Sequence, residues 1–252
     1  MELITQTPAI DADTELDRLA RLYATAGGPG MRVLGMLGTR AESLLDRLPG
    51  PVRVQLGAAT EQALHAAMRA ADGSRATIPE QAPWVQRAVT TAMGAAGGMG
   101  GLPTALVELP VTTAVLLRSI QGAASRHGFD PAAESVKFDC VRVFSAAGPL
   151  AHDDGVDTGF LALRLTLTGT AMNKLIAAVA PRLGLVLGQK LAAQSVPVLG
   201  ALAGAATNYA YTSYYQSMAD VHFGMRRLAM ETDRPEAELL DDLRGRMALQ
   251  AS

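Results

Sequence analysis

A chain of 252 residues fits one large domain or two small ones and can bury a substantial core. Its formal net charge of −2 leaves no basic face of the kind that sequence-independent nucleic-acid binding requires. The single cysteine, Cys140, excludes an internal disulfide and any zinc site with two or more Cys ligands. Charged residues make up 18% of the chain, below the usual quarter, and aromatics only 4%, while glycine appears 25 times. Small side chains let helix backbones approach closely, and low charge density leaves less surface suited to water. Both properties are also tolerated in membranes. Met1 to Asp17 is polar and acidic rather than basic and then apolar, so no secretory signal is expected and the cytoplasm is the default compartment.

The first predicted element is an amphipathic helix from about Asp13 to Ala26. Leu16, Leu19, Ala20 and Tyr23 lie on one face, with Asp13 or Thr14 as the cap. Gly27-Gly28-Pro29-Gly30 ends it, and a short apolar helix runs to about Leu48. Pro49-Gly50-Pro51 marks a turn, and Val52 to Ala71 is alanine-rich and helical in pattern until Asp72-Gly73-Ser74. Pro79 to Pro83 opens the next segment.

Two stretches then stand apart for lack of charge. Between Arg87 and Arg118 only Glu108 is charged, and the stretch holds Gly94, Gly97, Gly98, Gly100, Gly101, Pro103 and Pro110. Leu191 to Ala219 carries no charge at all. Each is long enough to cross a hydrocarbon core of about 30 Å as one helix. The glycines and prolines of the first, and Pro197 with the polar residues of the second, favour buried helices over true spans. Between the two stretches, Gly128-Phe129-Asp130-Pro131 reads as a helix boundary, with Gly128 in the left-handed position, Asp130 as N-cap and Pro131 in the first turn. Leu161, Leu163, Leu165 and Leu167 alternate as in a strand, but no partner strand is evident and helix is preferred. The tail from Pro235 carries Leu239, Leu240, Leu243 and Met247 on a final amphipathic helix.

The low-charge stretches resemble the signature regions of the EcsC family. The first contributes Gly97-Gly98-Met99-Gly100-Gly101-Leu102-Pro103, Val107-Glu108-Leu109-Pro110 and Leu116-Leu117-Arg118-Ser119-Ile120-Gln121, and closes on Gly128-Phe129-Asp130-Pro131. The second runs from Val196-Pro197 to Asn208-Tyr209. The similarity covers roughly Pro83 to Leu228. It departs from the family pattern at Glu108, where Asp is the commoner acidic residue. The resemblance implies a helical bacterial protein with a suspected membrane association. The family takes its name from a protein encoded beside an ABC transporter, and no biochemical activity transfers from it.

Asn208, Thr212, Tyr215, Ala219, His222 and Arg226 recur at helical spacing as one polar stripe, beside an apolar stripe through Tyr211, Tyr214, Met218, Val221, Met225 and Leu228. Such a helix is either one wall of a ligand cavity or a buried element whose polar groups satisfy one another. Glu108 and Arg118 are charges set in apolar sequence, and each needs a partner. Arg226, Lys174 and His222 are candidates for Glu108, with a structural ion pair favoured over catalysis. His152-Asp153-Asp154 with Asp157 has the look of a hard-cation loop but lacks the regular spacing of a calcium loop, so a solvated acidic turn is expected and no metal. No nucleophile elbow is present, and the Gly97–Gly101 run lacks the Lys-Ser/Thr ending of a phosphate loop.

The expectation is an all-α, single multi-helix domain with glycine-rich central helical hairpins. It has an N-terminal helical segment (1–82), an EcsC-like core (83–230) and a C-terminal amphipathic helix (231–252). Glu108, Arg118, Asn208, Tyr211, Thr212, Tyr215, His222 and Arg226 are the candidate ligand-binding residues, without cofactor or metal. The expected partner is lipid or a membrane surface at the inner face of the membrane. A regulatory module for a membrane transporter is the alternative, and a hydrolase built on Glu108, His222 and Arg226 is the least favoured reading.

Overall fold

A computed structural model describes residues 11–26, 28–30, 50–74, 82–144, 146, 171–194 and 200–251. The expectations for the segment ending at Leu48, the Leu161–Leu167 alternation, the His152–Asp157 cluster and Pro197 lie outside these residues. Seven helices account for almost all of the described chain, and no strand occurs among the described residues. They are α1 (Ala12–Ala24), α2 (Gly50–Ser74), α3 (Pro83–Arg126), α4 (Glu134–Val143), α5 (Ala171–Gln194), α6 (Gly200–Thr232) and α7 (Glu236–Ala251). The chain is all-α.

Several boundaries fall differently from the sequence pattern, each for a local reason. The N-cap of α1 is Asp11, two residues before the expected cap, because its carboxylate accepts the Asp13 backbone N–H at 3.3 Å and also the Thr14 hydroxyl. Gly50 and Pro51 belong to α2 rather than to a turn, since proline is well suited to a first helical turn. The Asp72-Gly73-Ser74 stop is absorbed into the last turn of the same helix. Gly128 does adopt the left-handed conformation, at φ +82°. Asp130, however, accepts the Ala132 N–H at 2.9 Å in a turn of its own, which delays α4 until Glu134.

Helix α6 lies at the centre and touches α1, α3, α4, α5 and α7. Its most extensive contact is with α3, and the two ends of α3 reveal an unusual course. Near the start of α3, Arg87 donates to Gln216; at its last residue, Arg126 grips Asp220, one turn further along α6. A straight helix would separate Arg87 from Arg126 by roughly 58 Å at about 1.5 Å per residue. The segment therefore turns sharply back on itself. Its first arm runs antiparallel to α6, pairing Pro83 with Gln216 and Gly94 with Gly204. The second arm returns to Asp220. Glycine clusters and proline are the standard causes of such a bend, and both lie in the middle of α3, at Gly97–Gly101, Pro103 and Pro110. The first low-charge stretch is thus one hydrogen-bonded helical segment that doubles over like a hairpin and clasps α6.

The remaining helices close the core around this clasp. α5 packs against α6 and α2, while α2 also contacts α3. Leu16, Leu19, Ala20 and Tyr23 of α1 and Leu239, Leu240, Leu243 and Met247 of α7 are buried as their spacing predicts. Arg246 of α7 reaches Asp13 and Asp17 of α1 and ties these two helices together. Cys140 is fully buried among apolar residues of the core.

Among the described glycines the tightest contact is at Gly94, where an added Cβ would stand 2.2 Å from the Gly204 carbonyl oxygen and 2.7 Å from Asn208 Nδ2. A rigid backbone atom cannot move aside without parting the helices. Gly94→Ala is expected to destabilise the protein by about 2–3 kcal/mol, the cost of overpacking exceeding the helix-propensity gain. Gly57→Ala in α2, where nothing lies within 4 Å of the added methyl, is expected to stabilise by up to about 1 kcal/mol. Chemical denaturation of the two variants beside the parent protein measures both signs.

Candidate functional site

Helix α6 carries the predicted polar stripe, and its neighbours divide that stripe into two separate groups. Toward its N-terminal half, Asn208 and Thr212 of the stripe, joined by Gln216 from outside it, face the first arm of α3. Asn208 Nδ2 donates to the Thr90 carbonyl at 2.8 Å, and the Thr212 hydroxyl donates to the Thr90 hydroxyl at 3.0 Å. The Thr90 hydroxyl in turn reaches back to the Gln86 carbonyl at 3.0 Å. Gln216 Nε2 donates to Gln86 Oε1 at 3.0 Å and to the Pro83 carbonyl at 3.2 Å, while its oxygen accepts from Arg87 at 2.6 Å. These groups are interlocked with one another, as a polar seam between two buried helices must be.

The second group lies further along α6, against α4. His222 Nε2 stands 3.3 Å from Asp139 Oδ1, and Arg226 Nη1 donates to Asp139 Oδ2 at 2.5 Å. Arg142, one turn after Asp139 on α4, approaches Oδ1 at 3.6 Å. The Arg226 guanidinium also lies over the Phe129 ring, 4.7 Å from its centroid. Phe129 contacts Phe223, and Phe223 meets the His222 ring edge to face. A carboxylate, two guanidiniums, an imidazole and two aromatic rings thus converge where α4 crosses α6.

Burial alone would raise the Asp139 carboxyl, but His222, Arg226 and Arg142 together outweigh it and hold the group below the ordinary carboxylate value. Burial pushes His222 the other way, below its ordinary value, against the pull of Asp139, and Arg142 adds to the depression. At neutral pH the pair is therefore a carboxylate facing a neutral imidazole, which presents Nε2–H to an acceptor-only partner. His222 is only 4% exposed, and α4 and the aromatic rings cover it. The cluster holds α4 on α6 through one carboxylate shared by two guanidiniums and an imidazole.

The other predicted residues lie elsewhere. Tyr211 donates to the Val186 carbonyl of α5 at 3.0 Å, and burial raises its phenol far above the ordinary value. Tyr215 packs edge to face with Phe144 and with Tyr214. Arg118 lies on the second arm of α3, half-buried, and Glu108 lies in its middle, with a side chain outside the described atoms. Arg226 and His222, suggested as partners for Glu108, both contact Asp139. Asp139 was absent from the candidates, although it is buried among Val136, Phe138, Cys140 and Val141. The structure therefore joins His222 with Arg226 and Asn208 with Thr212, and leaves Tyr211 and Tyr215 in separate packing environments.

Both titratable members of the α4–α6 cluster couple to stability with the same sign. Protonating a neutral buried His222 is harder in the folded than in the unfolded chain, so its contribution is complete above pH about 6.5 and lost as pH falls below it. The depressed Asp139 adds a second loss, which begins below the unfolded carboxyl value of about 4. Thermal melts of the parent protein between pH 8 and pH 4 are expected to fall monotonically, and His222→Gln is expected to flatten the upper part of that decline. Asp139→Asn leaves Arg226 without its anion. Because Arg226 keeps 26% of its side chain in water, the loss at pH 7 is expected near 2 kcal/mol, below the 3–5 of a fully buried pair.

The profile of the EcsC protein family matches residues 74–228, a span that takes in the hairpin of α3, both polar groups of α6 and Asp139. Helices α1 and α7, and all but the last residue of α2, stand outside it. No curated protein and no solved structure matches the chain. With well over half of its length covered, the chain belongs to the EcsC protein family.

Proposed function

We propose that the protein is a non-enzymatic, lipid-engaging helical protein that meets the face of a bilayer with the uncharged end of its α3–α6 clasp. The observation that carries this reading is the uneven distribution of charge along the central helices. From Gly200 to Ala219, α6 has no charged residue, and all its described ion pairs begin at Asp220. The bend of α3 lies toward the same uncharged end, because Gly94 pairs with Gly204 and the chain continues beyond that point before returning. Glu108 is the single charge between Arg87 and Arg118. Apolar surface left to water costs about 25 cal/mol per Å², and a concentrated patch of it favours a partner.

Exposed side chains support an association through this end. Leu202, in the first turn of α6, is 54% exposed, and Val111, on the returning arm of α3, is about half exposed. No described helix is long and apolar enough to cross a membrane, so the proposed contact is interfacial rather than spanning. The enzyme reading has less support, since His222 and Arg226 are engaged with Asp139 and His222 is buried.

Flotation of detergent-free protein with phosphatidylcholine–phosphatidylglycerol vesicles tests the proposal. The parent protein is expected to float, and Leu202→Glu to reduce the floating fraction at least fivefold with a melting temperature changed by less than about 3 °C. Met230→Glu, at a still more exposed position near the charged end of α6, is expected to float like the parent. Absence of the parent protein from the vesicle fraction, or equal flotation of all three, overturns the reading.

A further inference from the structure

Helix α2, which lies almost wholly outside the family match, forms an open groove with the family core. The groove has a volume of about 630 Å³ and is lined by Ala59, Gln62, Ala63, His65, Ala66 and Arg69 of α2 and by Pro110 of α3. Ala59, Ala63 and Ala66 fall at i, i+4 and i+7, so one strip of the wall consists only of methyl groups. Gln62, His65 and Arg69 fall at i, i+3 and i+7 and form a parallel strip of hydrogen-bond donors. Among the described residues that line the groove there is no carboxylate. Arg69 makes no ion pair or hydrogen bond through its side chain among the described residues, in contrast to Arg18, Arg126, Arg226, Arg234 and Arg246. Glu61 lies one turn from His65 on the same helix, yet no ion pair joins it to His65 or Arg69.

An alanine-lined trough bordered by the Arg69 guanidinium complements a single apolar chain with one negative charge. The volume limits the size of the occupant. At on the order of 30 Å³ for a water-sized group, close to that of a methylene, the groove holds about twenty such groups, which suits one acyl chain with its head but not a two-tailed lipid. A carboxylate matches the planar fork of an arginine in two parallel hydrogen bonds. Gln62 and His65 supply further donors along the same edge.

We infer that this groove binds a long-chain fatty acid, its carboxylate held by Arg69 and its chain laid along Ala59, Ala63 and Ala66 against Pro110. The inference rests on the lipid-engaging reading above and names the lipid class. It assigns a defined site to α2 where that helix faces Pro110 of α3.

Titration of the full-length, detergent-free protein with the fluorescent fatty acid cis-parinarate tests the site, with oleate and methyl oleate as competitors. The expected result is saturable binding, displaced by oleate and at least tenfold less effectively by the uncharged ester. Arg69→Gln, at an exposed position, is expected to weaken parinarate binding about tenfold and to erase the preference for oleate over its ester. Ala59→Trp, also exposed, is expected to fill the trough and abolish binding while the far-ultraviolet circular dichroism stays unchanged. Equal affinity of the parent and Arg69→Gln, or of oleate and its ester, overturns the inference, as does a protein that yields only two-tailed phospholipid on extraction. The vesicle assay separates the two proposals. Lost parinarate binding with intact flotation of the parent removes the groove and leaves the bilayer reading, whereas loss of both removes both.

Discussion

Where Gly94 meets Gly204, the absence of one methyl group sets the spacing of the central helices. With no side chain on either residue, the backbone of α3 approaches the α6 carbonyl closely enough that an added Cβ would overlap it at 2.2 Å. That approach brings Thr90 within reach of Asn208 and Thr212, and Gln86 and Pro83 within reach of Gln216. It also fixes the level at which α3 leaves α6 before doubling back to Asp220. The polar seam, the bend and the position of the returning arm all follow from one close backbone contact. Gly224 plays a related part on another face of α6, where a Cβ would stand 2.7 Å from Leu19 of α1.

The low aromatic content fits the same geometry. Helices that pack on glycine and alanine have little room for large side chains, so the few aromatics collect where spacing is wider. Tyr211, Tyr214 and Tyr215 fill the junctions of α6 with its neighbours, and Phe129 and Phe223 surround the ionic contact with α4. Burying Asp139 beside Arg226 contributes little net stability compared with apolar packing of equal size. It does select one register of α4 on α6, because any other would strand a charge in the core.

Helical periodicity made the fold class and the buried faces of α1 and α7 legible, since Leu16, Leu19, Ala20 and Tyr23 leave no other regular reading. The hairpin character of the first low-charge stretch was also legible, from glycine and proline placed in mid-stretch. The helix boundaries were less so. A side-chain oxygen such as that of Asp11 or Asp130 caps whichever N–H it can reach, and one-residue shifts in reach leave no trace in the pattern. Period groups the residues of the α6 stripe, yet it cannot say which neighbour each residue faces. Asn208 and His222 share a stripe, but α3 covers one and α4 the other. Asp139 escaped notice for the converse reason: His222 and Arg226, which meet it from α6, lie more than eighty residues away in sequence.

The clasp between Arg126, His127 and Asp220 closes one end of the α3–α6 assembly, while the opposite end is held by backbone proximity and neutral side chains. A body joined in this way behaves as a pair of tongs, with a salt-sensitive rivet at one end and jaws that salt does not touch. Ionic strength would then act on the hinge alone. Any opening of the jaws would carry the α3 bend furthest and move α4, fastened beside the rivet, least.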